Sequence, residues 1–466
     1  MTSLPIDHLI SFFKSLDISR IHYCPGGRNY KLISSLKDHF DIQSFIDERE
    51  AAFYCLGRAK STQEPQVLIV TSGSALINTL PAMSEAFNSN QKIIIVSADR
   101  PQGYVKIRAE QTLHHEEFSK PCRRLFLNQD DLYPIPKIID YPLHINFHLS
   151  HNERESIEID IIKENQLIDL ISTKNNILLF LSGPIHEEIH QYLNDNLQAK
   201  ISIYSDIFDT SAIEIKQRIK NEFLLDSLIK DNQFDLILRM GNAPITSAWR
   251  RLNQISIKAS IIHIDDEGLS RLSIGKILKP KTKGFYYQLF KALEKSHSRA
   301  IPHNNQIQNL IIQYPKSEIS ILSNIIKNAN KDDHFFFSNS MTIRLAQMLE
   351  RRENFIHAHR GINGIDGLIA SSMGIADSIR SNLHLIIGDI SFIYNYNYSL
   401  FKLPKNLKIH ILNNSGGQIF NLYTNFQEMV LQHQEDFTHP NKNIIEYKID
   451  NNQTKNFLEK LKESHL

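Results

Sequence analysis

Short apolar runs alternate with longer amphipathic stretches along this chain. In the first third the runs are RIHYC (20 to 24), VLIVTSG (67 to 73), KIIIVSADR (92 to 100) and LHINFHL (143 to 149). Such runs, with helical patterns between them, predict βα units around a mainly parallel sheet. A polar stretch, SHNERES (150 to 156), opens a charged connector reaching Asn175, which marks a boundary. ILLFLSGP (177 to 184), ISIYSD (201 to 206), FDLILRMGNAP (234 to 244) and ASIIHIDDEG (259 to 268) predict a second α/β domain. A polar linker over 295 to 309 precedes a third set, FFFSNS (335 to 340), NFIHAHRG (354 to 361), HLIIGD (384 to 389) and KIHILNNSGG (408 to 417). Three doubly wound, mainly parallel-sheet α/β domains are expected, over 1–165, 166–305 and 306–466.

Composition narrows the classes of function. The 466 residues carry 52 Lys+Arg against 51 Asp+Glu, a net charge of +1, so no global basic field points to nucleic acid or an anionic membrane. Hydrophobic content of 41% and charged content of 22% are those of an ordinary globular protein. The opening MTSLPIDHLISFFKSLD lacks a basic leader, and its apolar residues recur at helical spacing, so a helix is expected rather than a signal peptide. No apolar run reaches the roughly 18 residues of a membrane span. Cys24, Cys55 and Cys122 show no paired or metal-binding spacing, so neither disulfides nor zinc are expected and the cytoplasm is the expected compartment.

In open α/β sheets ligands bind beyond the carboxyl ends of strands. Asp389 follows HLIIG, and Asn413, Asn414, Ser415, Gly416 and Gly417 follow KIHIL. From 389 to 414 is 25 residues, room for one crossover helix, so two neighbouring strands could present oxygen ligands to one cation. Magnesium held by a carboxylate, an amide oxygen and a carbonyl, and completed by a diphosphate, suits that set. Either motif alone is equally well read as a helix cap or a turn.

Together the motifs carry a resemblance. GDIS and ILNNSGGQIF look like the magnesium and thiamine diphosphate signature, and CPGGR (24 to 28), DERE (47 to 50), TSGSALINTLPAMSEA (71 to 86), SADRP (97 to 101), EQT (110 to 112), NSMTIR (339 to 344) and HRGINGIDG (359 to 367) surround it. In that order and spacing they resemble the 2-succinyl-5-enolpyruvyl-6-hydroxy-3-cyclohexene-1-carboxylate synthases, thiamine-dependent enzymes of menaquinone biosynthesis. The resemblance runs from about residue 5 to 450 and is weakest in the middle.

It implies a thiamine-diphosphate-enzyme architecture and a transferase that decarboxylates 2-oxoglutarate and adds the succinyl-semialdehyde carbanion to isochorismate in a 1,4 sense. Glu48 would be the glutamate that promotes the imino tautomer of the aminopyrimidine. Asp389, Asn414 and the Gly416 carbonyl would hold Mg2+ or Mn2+, Ile365 would buttress the bent cofactor, and Ser391 would join Asp389 and Asn414 in cofactor binding. Arg28, Arg100, Gln111, Ser340, Arg344 and Arg360 would contact the two acids, whose carboxylates suit guanidinium forks. A homodimer or homotetramer with active sites between subunits is also implied.

Several positions depart from the family pattern. Gly27 stands for a serine, Asn29, Tyr30 and Lys31 for small polar and proline residues, and Arg108, Ala109 and Glu110 precede Gln111. Ala248 and Trp249 replace an expected basic residue, with Arg250 and Arg251 beside them, and Tyr394 to Asn397 replace a His-Asp-x-Asn run. The strand that usually closes the third domain is missing after IIEYKID, and one last amphipathic helix is expected there. Another thiamine-dependent decarboxylase or carboligase, or a drifted paralogue without turnover, stays open.

Overall fold

A computed structural model describes residues 5–100, 104, 109, 111–112, 123–128, 142–148, 158–183, 189, 191–193, 195–207, 218–241, 245, 252, 257–266, 268, 270, 272, 274–301, 306–349, 354–359, 363–400, 402–418, 437 and 441–463. Within these, the strands fall into three separate sheets. The first holds β1 (Arg20–Tyr23), β2 (Asp41–Ser44), β3 (Gln66–Thr71), β4 (Ile93–Asp99), β5 (Arg123–Asn128) and β6 (Leu143–His148), in the order β2-β1-β3-β4-β6-β5. The second holds β7 (Glu158–Ile161), β8 (Ile177–Ser182), β9 (Ser202–Ser205), β10 (Leu236–Gly241), β11 (Ser260–Ile264) and β12 (Ile274–Leu278), in the order β7-β12-β11-β10-β8-β9. The third holds β13 (His334–Phe337), β14 (Ile356–His357), β15 (Leu383–Gly388), β16 (Leu407–Asn413) and β17 (Ile444–Lys448), in the order β14-β13-β15-β16-β17.

Every strand pair is parallel, from Ile21 against Val67 in the first sheet to Ile409 against Ile444 in the third. Parallel strands need crossovers, and these cover both faces of each sheet. The second sheet shows the consequence: Leu179, Leu181, Leu236 and Leu238 enter one core cluster, while Leu178, Phe180 and Ile237 enter the cluster on the opposite face. The first and third sheets divide in the same way between two clusters each. This two-sided burial makes β3, β4 and β8 read as continuous apolar runs. The expected fold class, three doubly wound parallel-sheet α/β units, is the one observed.

The structure differs from the sequence reading at the edges. Five strands, β2, β5, β7, β12 and β17, were not among the apolar runs, and β2, β5, β7 and β17 lie at sheet edges. An edge strand has one partner and less to bury, so its polar residues hide the pattern. β7 lies inside the stretch expected to be a connector, and its Ile159 pairs with Gly275, so residues 158 to 161 belong to the second sheet rather than to the first domain. The last helix, Asn451–Glu463, forms as expected and buries Phe457, Leu458 and Leu461 against Leu310 and Leu322. Among the described residues no helix is long and apolar enough to cross a membrane.

Candidate active site

The glycine-rich turn after β1 is shaped by contacts that exclude larger side chains. A Cβ on Gly26 would lie 2.8 Å from Cβ of Thr71. Asn29 closes the turn by accepting from the Gly26 N–H at 2.9 Å and donating to the Cys24 carbonyl at 2.9 Å, which gives this departure from the family pattern a structural role. Arg28 is buried beside it. At the end of β4, Arg100 is buried over the Tyr104 ring at 5.7 Å, and Asp99 Oδ1 accepts from its backbone N–H at 2.7 Å. Gln111 is half-buried with φ of 57°, a left-handed backbone.

Glu48 is the first residue of the helix Glu48–Thr62, whose cap Asp47 accepts from the N–H groups of Arg49 and Glu50. The first helical position turns its carboxyl toward residues far along the chain. Tyr394 Oη lies within donating distance of two carboxylates, Asp366 Oδ1 at 3.0 Å and Glu48 Oε2 at 3.3 Å. From the helix Ser74–Asn88, Ser74 Oγ donates to Asp366 Oδ2 at 2.7 Å, Asn78 donates to Asp366 Oδ1, and Asn78 Nδ2 donates to Tyr394 Oη at 2.8 Å. A side chain at Gly364 would collide with both Asp366 and Ser74 Oγ, the latter at 2.6 Å. Burial, with Asp366 and Asp47 adding like charge, pushes the Glu48 carboxyl up to about 7, while its own backbone N–H and the Tyr394 hydroxyl oppose the shift.

Ile365, in the same loop, packs against the cluster of Leu368, Ile369 and Phe392. Asn395 fixes it, donating to the Ile365 carbonyl at 2.8 Å and accepting from the Leu368 N–H at 2.9 Å. The loop is held from the other side by Asn339, which donates to the carbonyls of His359 and Gly364 at 2.9 and 2.6 Å. Ser340 and Arg344 sit at the start and middle of the helix Met341–Met348 after β13, both half-buried. Arg360 lies outside the described residues, as do Arg108, Ala248, Trp249, Arg250 and Arg251.

Asp389 opens the short helix Asp389–Tyr394 beyond β15. Its Oδ2 accepts from the N–H groups of Asn414 at 3.1 Å and Gly416 at 2.9 Å, so the carboxylate ties the ends of β15 and β16 together. Ser391 is buried two residues on. Asn414 Nδ2 donates to Glu318 Oε2 at 3.1 Å, which fixes the amide's orientation and leaves Asn414 Oδ1 buried with no hydrogen-bond partner among the described residues. Glu318 is itself buried and pushed up to about 7, by burial first, with Asn414 opposing and Asp389 adding to the shift. A buried amide oxygen without a partner beside a carboxylate and a glycine turn is a fitting donor set for a hard cation.

The structure thus brings Glu48 and the Ile365 loop together and places Ser391 on the helix that leads back to Asp389, Asn414 and Gly416. That six-residue helix spans about 8 Å between the Asp389 end and the Glu48 contact. The structure sets Tyr394 of the third domain against Glu48 of the first. Ser74, Asn78, Glu318, Asn339, Asp366, Tyr394 and Asn395 had no assigned role in the sequence reading. Most lie inside the quoted motifs, but their roles depend on which partner they face, which a one-dimensional pattern does not carry.

Residues 6–119 match the family profile described as thiamine pyrophosphate enzyme, N-terminal TPP binding domain. Fold and matched domain define the class: a thiamine-diphosphate-dependent enzyme. Within that class the chain is similar over nearly its whole length to 2-succinyl-5-enolpyruvyl-6-hydroxy-3-cyclohexene-1-carboxylate synthases. The one from Flavobacterium johnsoniae is 29% identical over 90% of this chain and 85% of its own, and the one from Flavobacterium psychrophilum is 25% identical over the same shares. A solved structure of a Rhodococcus jostii thiamine diphosphate-dependent 4-hydroxybenzoylformate decarboxylase aligns over 97% of this chain and 92% of that one, at 14% identity and a TM-score of 0.41.

Proposed function

We propose that this chain is a transferase that decarboxylates 2-oxoglutarate and joins the remaining four-carbon unit to isochorismate by 1,4-addition. The products are 2-succinyl-5-enolpyruvyl-6-hydroxy-3-cyclohexene-1-carboxylate and CO2, in menaquinone biosynthesis. The relatives' names supply the product, and the family resemblance of the motifs supplies the two acids. The observation that carries the chemistry is Glu48, a carboxyl pushed up to about 7 and facing the loop of Ile365 and Asp366. Thiamine diphosphate, when bound, supplies the carbon nucleophile and the electron sink for decarboxylation.

The chain's residues then divide the work. Glu48 titrates where it can both hold and release a proton near neutral pH, the property a general acid/base group needs. Asp389, the orphaned Asn414 Oδ1 and the Gly416 carbonyl would hold the divalent cation, and an all-oxygen set suits Mg2+ or Mn2+. Ser391 would face the diphosphate, and the Ile365 side chain, locked by Asn395, would support the cofactor. Arg28, Arg100 and Arg344, with Arg360, Gln111 and Ser340, would pair with the carboxylates of the two acids.

The test is product analysis with 2-oxoglutarate, with and without isochorismate, on wild type and Glu48→Gln. Wild type should form the adduct only with both acids, and Glu48→Gln should keep cofactor binding while losing turnover by about 100-fold or more. Equal activity in both would remove Glu48 from the mechanism, and an acceptor other than isochorismate would change the substrate. A dimer or tetramer is part of the same proposal, and so is a cytoplasmic location. Sedimentation at micromolar concentration should give the mass of two or four chains, and a monomer that turns over would refute that part.

A further inference from the structure

Around Glu48 the hydrogen-bond donors have a direction. Asp366 is served without the tyrosine: Ser74 Oγ donates to one of its oxygens at 2.7 Å and Asn78 to the other. Asn78 also donates to Tyr394 Oη at 2.8 Å, so that oxygen acts as acceptor there and has a single proton to give. Two carboxylates lie within reach, Asp366 Oδ1 at 3.0 Å and Glu48 Oε2 at 3.3 Å. Asp366 already has two donors, while among the described residues Tyr394 is the only side-chain donor to Glu48. Delivering the proton to Glu48 leaves no carboxylate unserved. The run is then Asn78 to Tyr394 to Glu48, crossing from the first sheet's helix through the third domain and back.

We propose that Tyr394 is a positioning residue for Glu48: its hydroxyl, oriented by Asn78, is the donor that sets the pH at which Glu48 exchanges its proton. This rests on Glu48 acting on the cofactor as proposed above. Tyr394 is suited to be a standing donor, because burial first, then Glu48 and Asp366, push its phenol well above its ordinary value. The charged or titratable groups facing Glu48 are Asp47 on its own turn, Cys24 at the end of β1, and Asp366 and Tyr394 from the third domain. Of these Tyr394 alone favours the ionised carboxylate by hydrogen bonding, while Asp366 and Asp47 oppose it.

Removing the hydroxyl should therefore raise the pH at which Glu48 ionises. The measurement is infrared difference titration of the full-length protein, with the Glu48 carboxyl band identified by its absence in Glu48→Gln. Tyr394→Phe should move the midpoint upward by about one pH unit, on the scale of one lost hydrogen bond to a carboxylate. Tyr394→His, which restores an N–H donor, should return part of the shift. Asn78→Ala should shift the midpoint in the same direction, since Asp366 loses a donor and draws the phenol proton away from Glu48. It also provides the test if Tyr394→Phe fails to fold. The acid limb of the turnover profile should move with the infrared midpoint. An unmoved midpoint in the folded variants overturns the proposal, even if Glu48→Gln is inactive. A moved midpoint together with a fully active Glu48→Gln would uphold the Tyr394 effect and refute the catalytic reading instead.

Discussion

A carboxyl held near neutrality by burial has an energetic consequence that is separate from catalysis. Glu48 goes from 4.5 in an unconstrained chain to about 7 in the fold. Between those values the folded form keeps a proton that the unfolded form has lost, so folding takes up a proton. The stability from this group is complete below about 4.5 and is lost as pH rises through about 7, a cost of up to roughly 3 kcal/mol. Glu48→Gln should thus melt at a higher temperature than wild type at pH 8 without cofactor, and at the same temperature at pH 4.5. Equal melting at both pH values would mean that the carboxyl is better solvated than its contacts with Tyr394 and Asp366 indicate. A residue kept at a stability cost is what a functional site displays, and Asn414 Oδ1, buried without a partner among the described residues, is a second case. Neither property is visible in the letters: DERE reads as a solvated helix start until Tyr394 is known to lie against it.

At the scale of elements, the first and third sheets reuse one device. Gly73 precedes the helix Ser74–Asn88 with φ 85° and ψ −139°, and Ser340 precedes the helix Met341–Met348 with φ 74° and ψ −132°. Glycine adopts this backbone freely and serine does not, so Ser340 stores strain that Gly73 avoids. Its hydroxyl makes no capping bond to the helix, so capping does not explain its presence. Ser340→Gly should stabilise the protein by roughly 1 kcal/mol and raise KM for one of the acids by about tenfold, with kcat much less affected. A loss of stability would show that the serine has an internal partner. The central strands other than β12, and their order of appearance, were legible because burial on both faces writes them as apolar runs, whereas β12 (IGKIL) is only partly buried. The edge strands were not: β2 is DIQS and β7 is EIDI, and only their partners, Arg20 to Tyr23 and Ile274 to Ile277, make them strands. The same holds in the site, where motif spacing located Asp389 and Asn414, but the Asp389 bridge from β15 to β16 and the Glu318 bond that turns the Asn414 amide needed the third dimension.

In the whole molecule, the middle domain is a support for the third. Arg218 is buried where the second sheet meets the helix that carries Ser340 and Arg344, and it donates to the carbonyls of Ser205 and Leu349, both at 3.1 Å. Gln347, on that helix, donates to the same Ser205 carbonyl at 3.0 Å. Two donors on one acceptor make the pair mutually compensating. With Arg218→Met the Ser205 carbonyl still has Gln347, so the loss falls mainly on Leu349, a cost of about 1–3 kcal/mol for one buried group left unsatisfied. With Gln347→Met the carbonyl still has Arg218, and the cost should be at the lower end of that range. The double variant removes these two donors from the Ser205 carbonyl at once, so its loss of stability should exceed the sum of the single losses, by about 1 kcal/mol. Because the helix starting at Met341 would then be less firmly seated, KM should rise in step with the lost stability while the Glu48 titration stays where it is. Strict additivity in thermal melts would mean that the two side chains act on separate groups, and a normal KM in a strongly destabilised double variant would mean that the helix keeps its place without the middle domain.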